Sequence, residues 1–226
     1  MTNPSNKGKP KSESDPVQPD LIQPDLIQPD LIQPDLIQPN WCDRPSVEVA
    51  PALLGCQLIR QLPNGPIIHS TIVETEAYAP GDPACHAYKG KSKRNASMFG
   101  PPGRSYVYLI YGMYHCLNVV TESEGIGSAV LIRALDLATI PPQLDPKHTA
   151  KPNRIAAGPG KLCRALEIDR SQDGILYHPD SGLWLTHPLS PVSPDNIVQT
   201  TRIGITKAAE QPWRWYLKDS RAVSKR

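Results

Sequence analysis

Two glutamates stand two residues apart in Val73-Glu74-Thr75-Glu76-Ala77-Tyr78, within a stretch that is otherwise largely apolar. Side chains alternate along a strand, so Glu74, Glu76 and Tyr78 share one face. Burying a carboxylate is costly unless a partner offsets the loss of water. Arg133, set among apolar residues in 129–137, is a suitable partner. One reading is architectural, with the pair satisfied by Arg133 or by backbone donors. The other is catalytic, with one glutamate acting as a general base tuned by its surroundings. A second group lies between Pro83 and Thr121, where there is no Asp or Glu. That segment carries Lys89, Lys91, Lys93, Arg94, Arg104, His86, His115 and five of the eight tyrosines. Cations attract a phosphate backbone, and tyrosine faces accept unstacked bases. The plainer alternative is core tyrosines and solvated lysines. Lys161 follows Gly158-Pro159-Gly160 at an expected helix start; the spacing is wrong for a P-loop. It is either a phosphate contact favoured by the helix end or an ordinary surface lysine. Arg202, Lys207, Arg214, Lys218, Arg221, Lys225 and Arg226 add positive charge towards the C-terminus.

The five cysteines, Cys42, Cys56, Cys85, Cys116 and Cys163, are odd in number and widely spaced. They form no CxxC pair, so reduced thiols are expected rather than a disulfide framework. Cys85-His86 and His115-Cys116 are adjacent pairs. Neighbours on a strand point to opposite faces, which is poor geometry for a thiol–imidazole dyad. Nothing in the spacing converges four ligands on a metal, and no cofactor is expected.

Several elements must position these residues. Ser46 is placed to cap a short helix over 47–54 that Pro51 keeps short. Residues 56–62 and 67–78 read as strands joined at Asn64-Gly65. Residues 80–103 read as loop. Residues 105–121 read as two strands turning near Tyr111-Gly112, and 129–137 as another strand. A proline-rich connection follows over 139–153, then a helix over 161–166. Short strands are expected near 175–177, 183–186 and 200–206. Strands outnumber helices and connections are short. The expected fold is therefore a single α+β domain on a curved, mostly antiparallel sheet with short flanking helices.

The chain has 226 residues and a formal net charge of +2, unevenly distributed. From Gln18 the pentapeptide QPDLI recurs four times and breaks off as Gln38-Pro39-Asn40. A proline at every fifth position removes an N–H each time and blocks helix growth. Residues 1–40 are expected to be an acidic, disordered, low-complexity tail, leaving 41–226 as the folded domain. No apolar run reaches the roughly 20 residues a membrane span needs. Met1 to Asp20 lacks the apolar core of a signal peptide, so neither a membrane nor a secreted protein is expected.

The strings IVETEAY, MFGPPGRSYVYLIYGMYHCLNVV, VLIRAL and GPGKLCRAL occur in order, with His86 after the first and RIGITKA, PWRWY and AVS after the last. Together they resemble the alkyladenine (3-methyladenine) DNA glycosylase family from about residue 50 onward. The match is not to the helix-hairpin-helix type of alkylation glycosylase. The resemblance implies a monofunctional enzyme that searches duplex DNA, extrudes an alkylated or deaminated purine and hydrolyses its N-glycosidic bond. It implies Glu76 as activator of the attacking water, with Arg133 placing both. Tyr78 and Tyr108 would form the two walls of the base pocket, although parity alone allows Tyr106 in place of Tyr108. His86 would hold the flipped nucleotide, and Asn118 at the pocket floor would disfavour the amine of normal guanine. Tyr111 would fill the gap left in the base stack. Some relatives place a lysine where this chain has Gly100-Pro101-Pro102, which bears on local DNA contacts. The implied partner is double-stranded DNA with damaged purines, bound by a monomer in a DNA-containing compartment (cytoplasmic and nucleoid-associated in a bacterium). The competing expectation is a damaged-DNA-binding module of the same fold without chemistry, which would lack Glu76 or Arg133.

Overall fold

In the computed structural model the described residues are 1–2, 35–63 and 65–226, and all their regular structure lies in the unit Gln33–Arg226. The first three pentapeptide copies and Asn64 fall outside the described residues, as does most of the expected tail. The helix α1 spans Ser46–Ala52. Strands β1, Gln57–Gln61, and β2, Ile67–Tyr78, form an antiparallel hairpin. Strands β3, Ser105–Ile110, and β4, Tyr114–Val120, form a second. Then come β5, Ala129–Leu137, and the helix α2, Pro159–Ala165. The last strands are β6, Leu183–Thr186, β7, Ile197–Thr200, and β8, Arg214–Leu217.

All eight strands join one antiparallel sheet in the order β3-β4-β5-β2-β1-β6, with β8 pairing to β2 and β7 to β8. The α+β class expected from the strand-rich pattern holds. Both helices bury apolar side chains, including Val49, Leu53, Leu162 and Leu166, against one core with Ile72, Leu117, Ile132 and Leu135 of the sheet. Removing this apolar surface from water is the main drive for the arrangement. A smaller cluster of Cys85, Met98, Tyr106, Val120 and Ala129 packs beneath the loop over 79–103.

The long strand β2 makes the site possible. Its pairing with β5 shifts register around Glu74, leaving Val73 on one strand and Arg133 on the other without a partner. Such bulges reverse which alternate residues face the core. Ile68 and Ile72 lie in the main core before the irregularity, and Ala77 lies there after it. Glu74, Glu76 and Tyr78 are thereby turned to the opposite face.

Four expectations are corrected. Ser46 is not the helix cap: the helix starts one residue earlier, Pro45 takes the cap position, and the buried Ser46 hydroxyl has no partner. Residues 175–177 form no strand. They run along the edge of β3 through Ser105 N–H to Ile175 O (2.8 Å), but only Leu176 makes a bridge, to Arg104. The strand expected over 200–206 instead ends at Thr200, because the Ile203 N–H turns away to Glu76. Finally, the folded part begins before residue 41. Leu36 bridges Thr186, Ile37 N–H donates to Leu185 O (3.0 Å), and Ile37 is only 4% exposed. Residues 35–37 thus cover what would otherwise be the open edge of β6.

The β3–β4 connection is a tight turn. Tyr111 and Gly112 both have positive φ, 54° and 71°, and Met113 N–H donates to Ile110 O (3.3 Å). Two central residues of positive φ define a type I′ turn, whose twist suits a hairpin. Tyr111 at its tip is 80% exposed.

Candidate active site

The carboxylate pair is fully enclosed: Glu74 and Glu76 are both 0% exposed. Arg133 lies between them, with Nε 3.2 Å from Glu74 Oε1 and Nη1 3.1 Å from Glu76 Oε1. Glu74 has further partners. Its Oε1 accepts from Arg214 Nη1 (2.9 Å), and its Oε2 from the Ser224 N–H (2.7 Å). Glu76 Oε1 also accepts the Ile203 N–H (2.8 Å), and Oε2 accepts the Tyr78 hydroxyl (2.9 Å). Two carboxylates meet two guanidinium groups, so the buried charge balances. Burial alone pulls Arg133 towards losing its proton, but Glu76 and Glu74 outweigh it and hold the cation. Burial and then the Glu76 charge push the Tyr78 hydroxyl well above its usual range, so it stays a donor. A carboxylate oxygen has room for more than one donor. Glu76 Oε2, with a single partner, retains acceptor capacity; Glu74 accepts three bonds and reads as a structural anchor.

In front of Glu76 lies a cavity of about 540 Å³. Tyr78, Arg133 and Ile203, the three partners of Glu76, are among its lining residues, while Glu76 sits behind them. His86, Tyr106, Tyr108, Tyr111, Asn118 and Lys161 also line it, whereas Glu74 and Glu76 do not. Both Tyr106 and Tyr108 face it, as their shared parity requires. Their roles divide by contact. Tyr106 is buried and its hydroxyl pairs with His86 Nδ1 (2.8 Å), whereas the partly exposed Tyr108 packs edge-on against the His86 ring (centroids 4.5 Å). Burial, helped by Arg94, lowers the His86 pKa, which favours the neutral ring. Asn118 Nδ2 donates to Tyr106 O (2.8 Å), fixing the amide at the cavity wall. Gly158, Pro159 and Gly160 bring the exposed Lys161 to the rim.

The thiols do not join this chemistry. All five cysteines are free and buried. Burial pushes the Cys85 thiol up to about 11 and also raises Cys116. Such thiols are poor nucleophiles.

Sequence reasoning missed two internal cations. Arg202 and Arg214 counted as part of the basic C-terminus, yet both are buried. Arg202 pairs twice with the buried Asp82, with Nη2 3.1 Å from Oδ1. Their apolar neighbours, Ile203-Gly204-Ile205 and Trp213-Trp215, were the available signal.

The site thus combines a strand-borne acid with a tyrosine-lined cavity on an antiparallel sheet. Residues 40–221 match the methylpurine-DNA glycosylase family. The chain is 59% identical over 192 residues to a protein of Trichodesmium erythraeum (strain IMS101), covering 82% of this chain and 95% of that one. It is 54% identical over 188 residues to one of Synechococcus sp. (strain JA-3-3Ab), covering 81% and 96%. A protein of Methanoculleus marisnigri is 48% identical over 187 residues, covering 81% and 96%. Each is provisionally named a 3-methyladenine DNA glycosylase. The chain belongs to the methylpurine-DNA glycosylase family, hydrolases that act on N-glycosyl bonds of damaged DNA. A compartment containing DNA follows from that membership; among the described residues, no helix is long and apolar enough to cross a membrane.

Proposed function

We propose that this chain removes alkylated purines of the 3-methyladenine type from duplex DNA by base flipping, using a water activated by Glu76. The supporting observation is the Glu76 carboxylate, held by Arg133, the Ile203 N–H and Tyr78 directly behind a tyrosine-lined cavity. A glycosidic carbon is inaccessible inside stacked duplex, so the nucleotide must leave the helix at a cost of a few kcal/mol. Tyr111, projecting from the hairpin tip, fills the vacated space and recovers part of that cost. The extruded base enters between Tyr78 and Tyr108, with His86 against the nucleotide and Asn118 set against the amine of normal guanine. Lys161, at the rim, meets a phosphate.

Glu76 Oε2 accepts a proton from the water as it attacks the sugar carbon. The C–N bond breaks through an oxocarbenium-like state, which the same carboxylate stabilises. Arg133 holds Glu76 in place. An alkylated purine carries formal positive charge and departs as a neutral base. Hypoxanthine, a neutral lesion, must itself be protonated to leave. Among the described residues Lys161 is the lysine that lines the cavity, and it is assigned to a phosphate rather than a Schiff base, so the product is an abasic site in an uncut strand.

The test is a duplex with one 3-methyladenine, incubated with the protein and heated in alkali, which cleaves at abasic sites. Wild type should yield cut strands, and Glu76→Gln should slow single-turnover release by at least about 100-fold while still binding the damaged duplex. Full release by Glu76→Gln refutes the assignment. Uncut strands with wild type favour a binding module without chemistry.

A further inference from the structure

We infer that Arg202 sets the lesion preference of this site by acting through Tyr78. This rests on the proposed role of Tyr78 as one wall of the base pocket. The Arg202 guanidinium carbon lies 4.8 Å from the centre of the Tyr78 ring and 5.2 Å from that of Trp213. Tyr78 lines the cavity and Arg202 does not, so the cation covers the face of the ring turned away from the base. Its side chain is sealed from solvent, as is that of Asp82. Arg202 also donates to Ala77 O (3.0 Å), immediately before Tyr78, and to Ala208 O (3.3 Å). Both the ring and the backbone that carries it are therefore held by one guanidinium.

The electrostatic consequence follows from the ring. An aromatic face attracts a cation through its negative π density. A cation already on the far face repels a second one on the near face, and in a dry setting that repulsion is poorly screened. Arg202 thus weakens the attraction of Tyr78 for a positively charged alkylpurine, while a neutral purine is little affected. Asp82 opposes this by neutralising part of the guanidinium charge. The Arg202–Asp82 pair sets how strongly the pocket favours charged lesions, and Arg202 is a positioning residue rather than a catalytic one.

The experiment measures binding of the full chain in a Glu76→Gln background to three matched duplexes: undamaged, with 3-methyladenine (cationic), and with hypoxanthine (neutral). The readout is the ratio of the two lesion affinities. Asp82→Asn, which leaves Arg202 uncompensated, should lower the cationic-to-neutral ratio by about threefold. Asp82→Asn with Arg202→Gln, which removes both charges, should raise it above the parent by about threefold to tenfold. Arg202→Lys keeps the charge and should leave the ratio near the parent. Ratios that follow charge in this order support the inference. Equal loss for both lesions, or an unchanged ratio in Asp82→Asn, overturns it and reduces Arg202 to a structural prop. The single Asp82→Asn change is isosteric, so the inference stays testable if the double variant does not fold. A parent protein that binds both lesions no tighter than undamaged DNA instead defeats the base-pocket reading.

Discussion

At the scale of single residues, the site is an exercise in keeping charge buried without leaving it unpaired. Glu74 and Glu76 look interchangeable in the sequence, since spacing assigns both acids to one face. Hydrogen bonding separates them: Glu74 is saturated by Arg133, Arg214 and Ser224, and Glu76 retains an unused acceptor position. Glu74→Ala should therefore act on stability, leaving two buried guanidinium groups short of a partner. A loss of about 3–5 kcal/mol is expected, read as a fall in the denaturation midpoint. His86 makes a different prediction. Its folded pKa lies below the ordinary 6.5 because of burial, so the unfolded chain binds the proton more readily. The stability that His86 contributes is complete above pH 6.5 and is lost as pH falls through the lowered folded value. Chemical denaturation at pH 7.5 and pH 5 should show a decline that is smaller in His86→Gln.

At the scale of elements, alternation sets Glu74, Glu76 and Tyr78 on one face, and the irregularity at Val73 turns that face away from the main core. The hairpin tip at Tyr111-Gly112 was legible because glycine beside a tyrosine at a turn signals positive φ. The facing of Tyr106 and Tyr108 was legible only as a pair, since alternation cannot say which ring bonds His86. The irregularity around Val73 and Arg133 leaves no mark in the residue types, so the parity change between Ile72 and Ala77 was not visible. Strand β8 was also missed. Its four residues, Arg-Trp-Tyr-Leu, lie in a stretch that composition marks as basic and solvated, whereas pairing to β2 buries the arginine. The tip offers a clean separation of function from fold. Tyr111→Ala removes a side chain exposed to water, so the melting temperature should stay within about 1 °C of wild type. Base release from duplex should fall about tenfold or more, because nothing then holds the gap in the stack. Release from single-stranded DNA should fall much less.

At the scale of the whole molecule, composition separated an acidic, repetitive N-terminal stretch from a basic remainder, and the family match covers residues 40–221. The boundary itself was not legible, because the four pentapeptide copies are identical and nothing in their residue types marks Leu36 for its bridge to Thr186. Deleting residues 1–32 should leave thermal stability and single-turnover excision unchanged. Deleting 1–40 also removes the buried Ile37 and uncovers an edge, and should cost about 2 kcal/mol or more in a denaturant titration.

The bond from the Ser224 N–H to Glu74 spans 150 positions of chain, and the one from Arg214 spans 140. The acids are thus translated long before the groups that balance them. A chain ending before Arg214 lacks two of the three donors to Glu74 and should lose its cooperative unfolding transition.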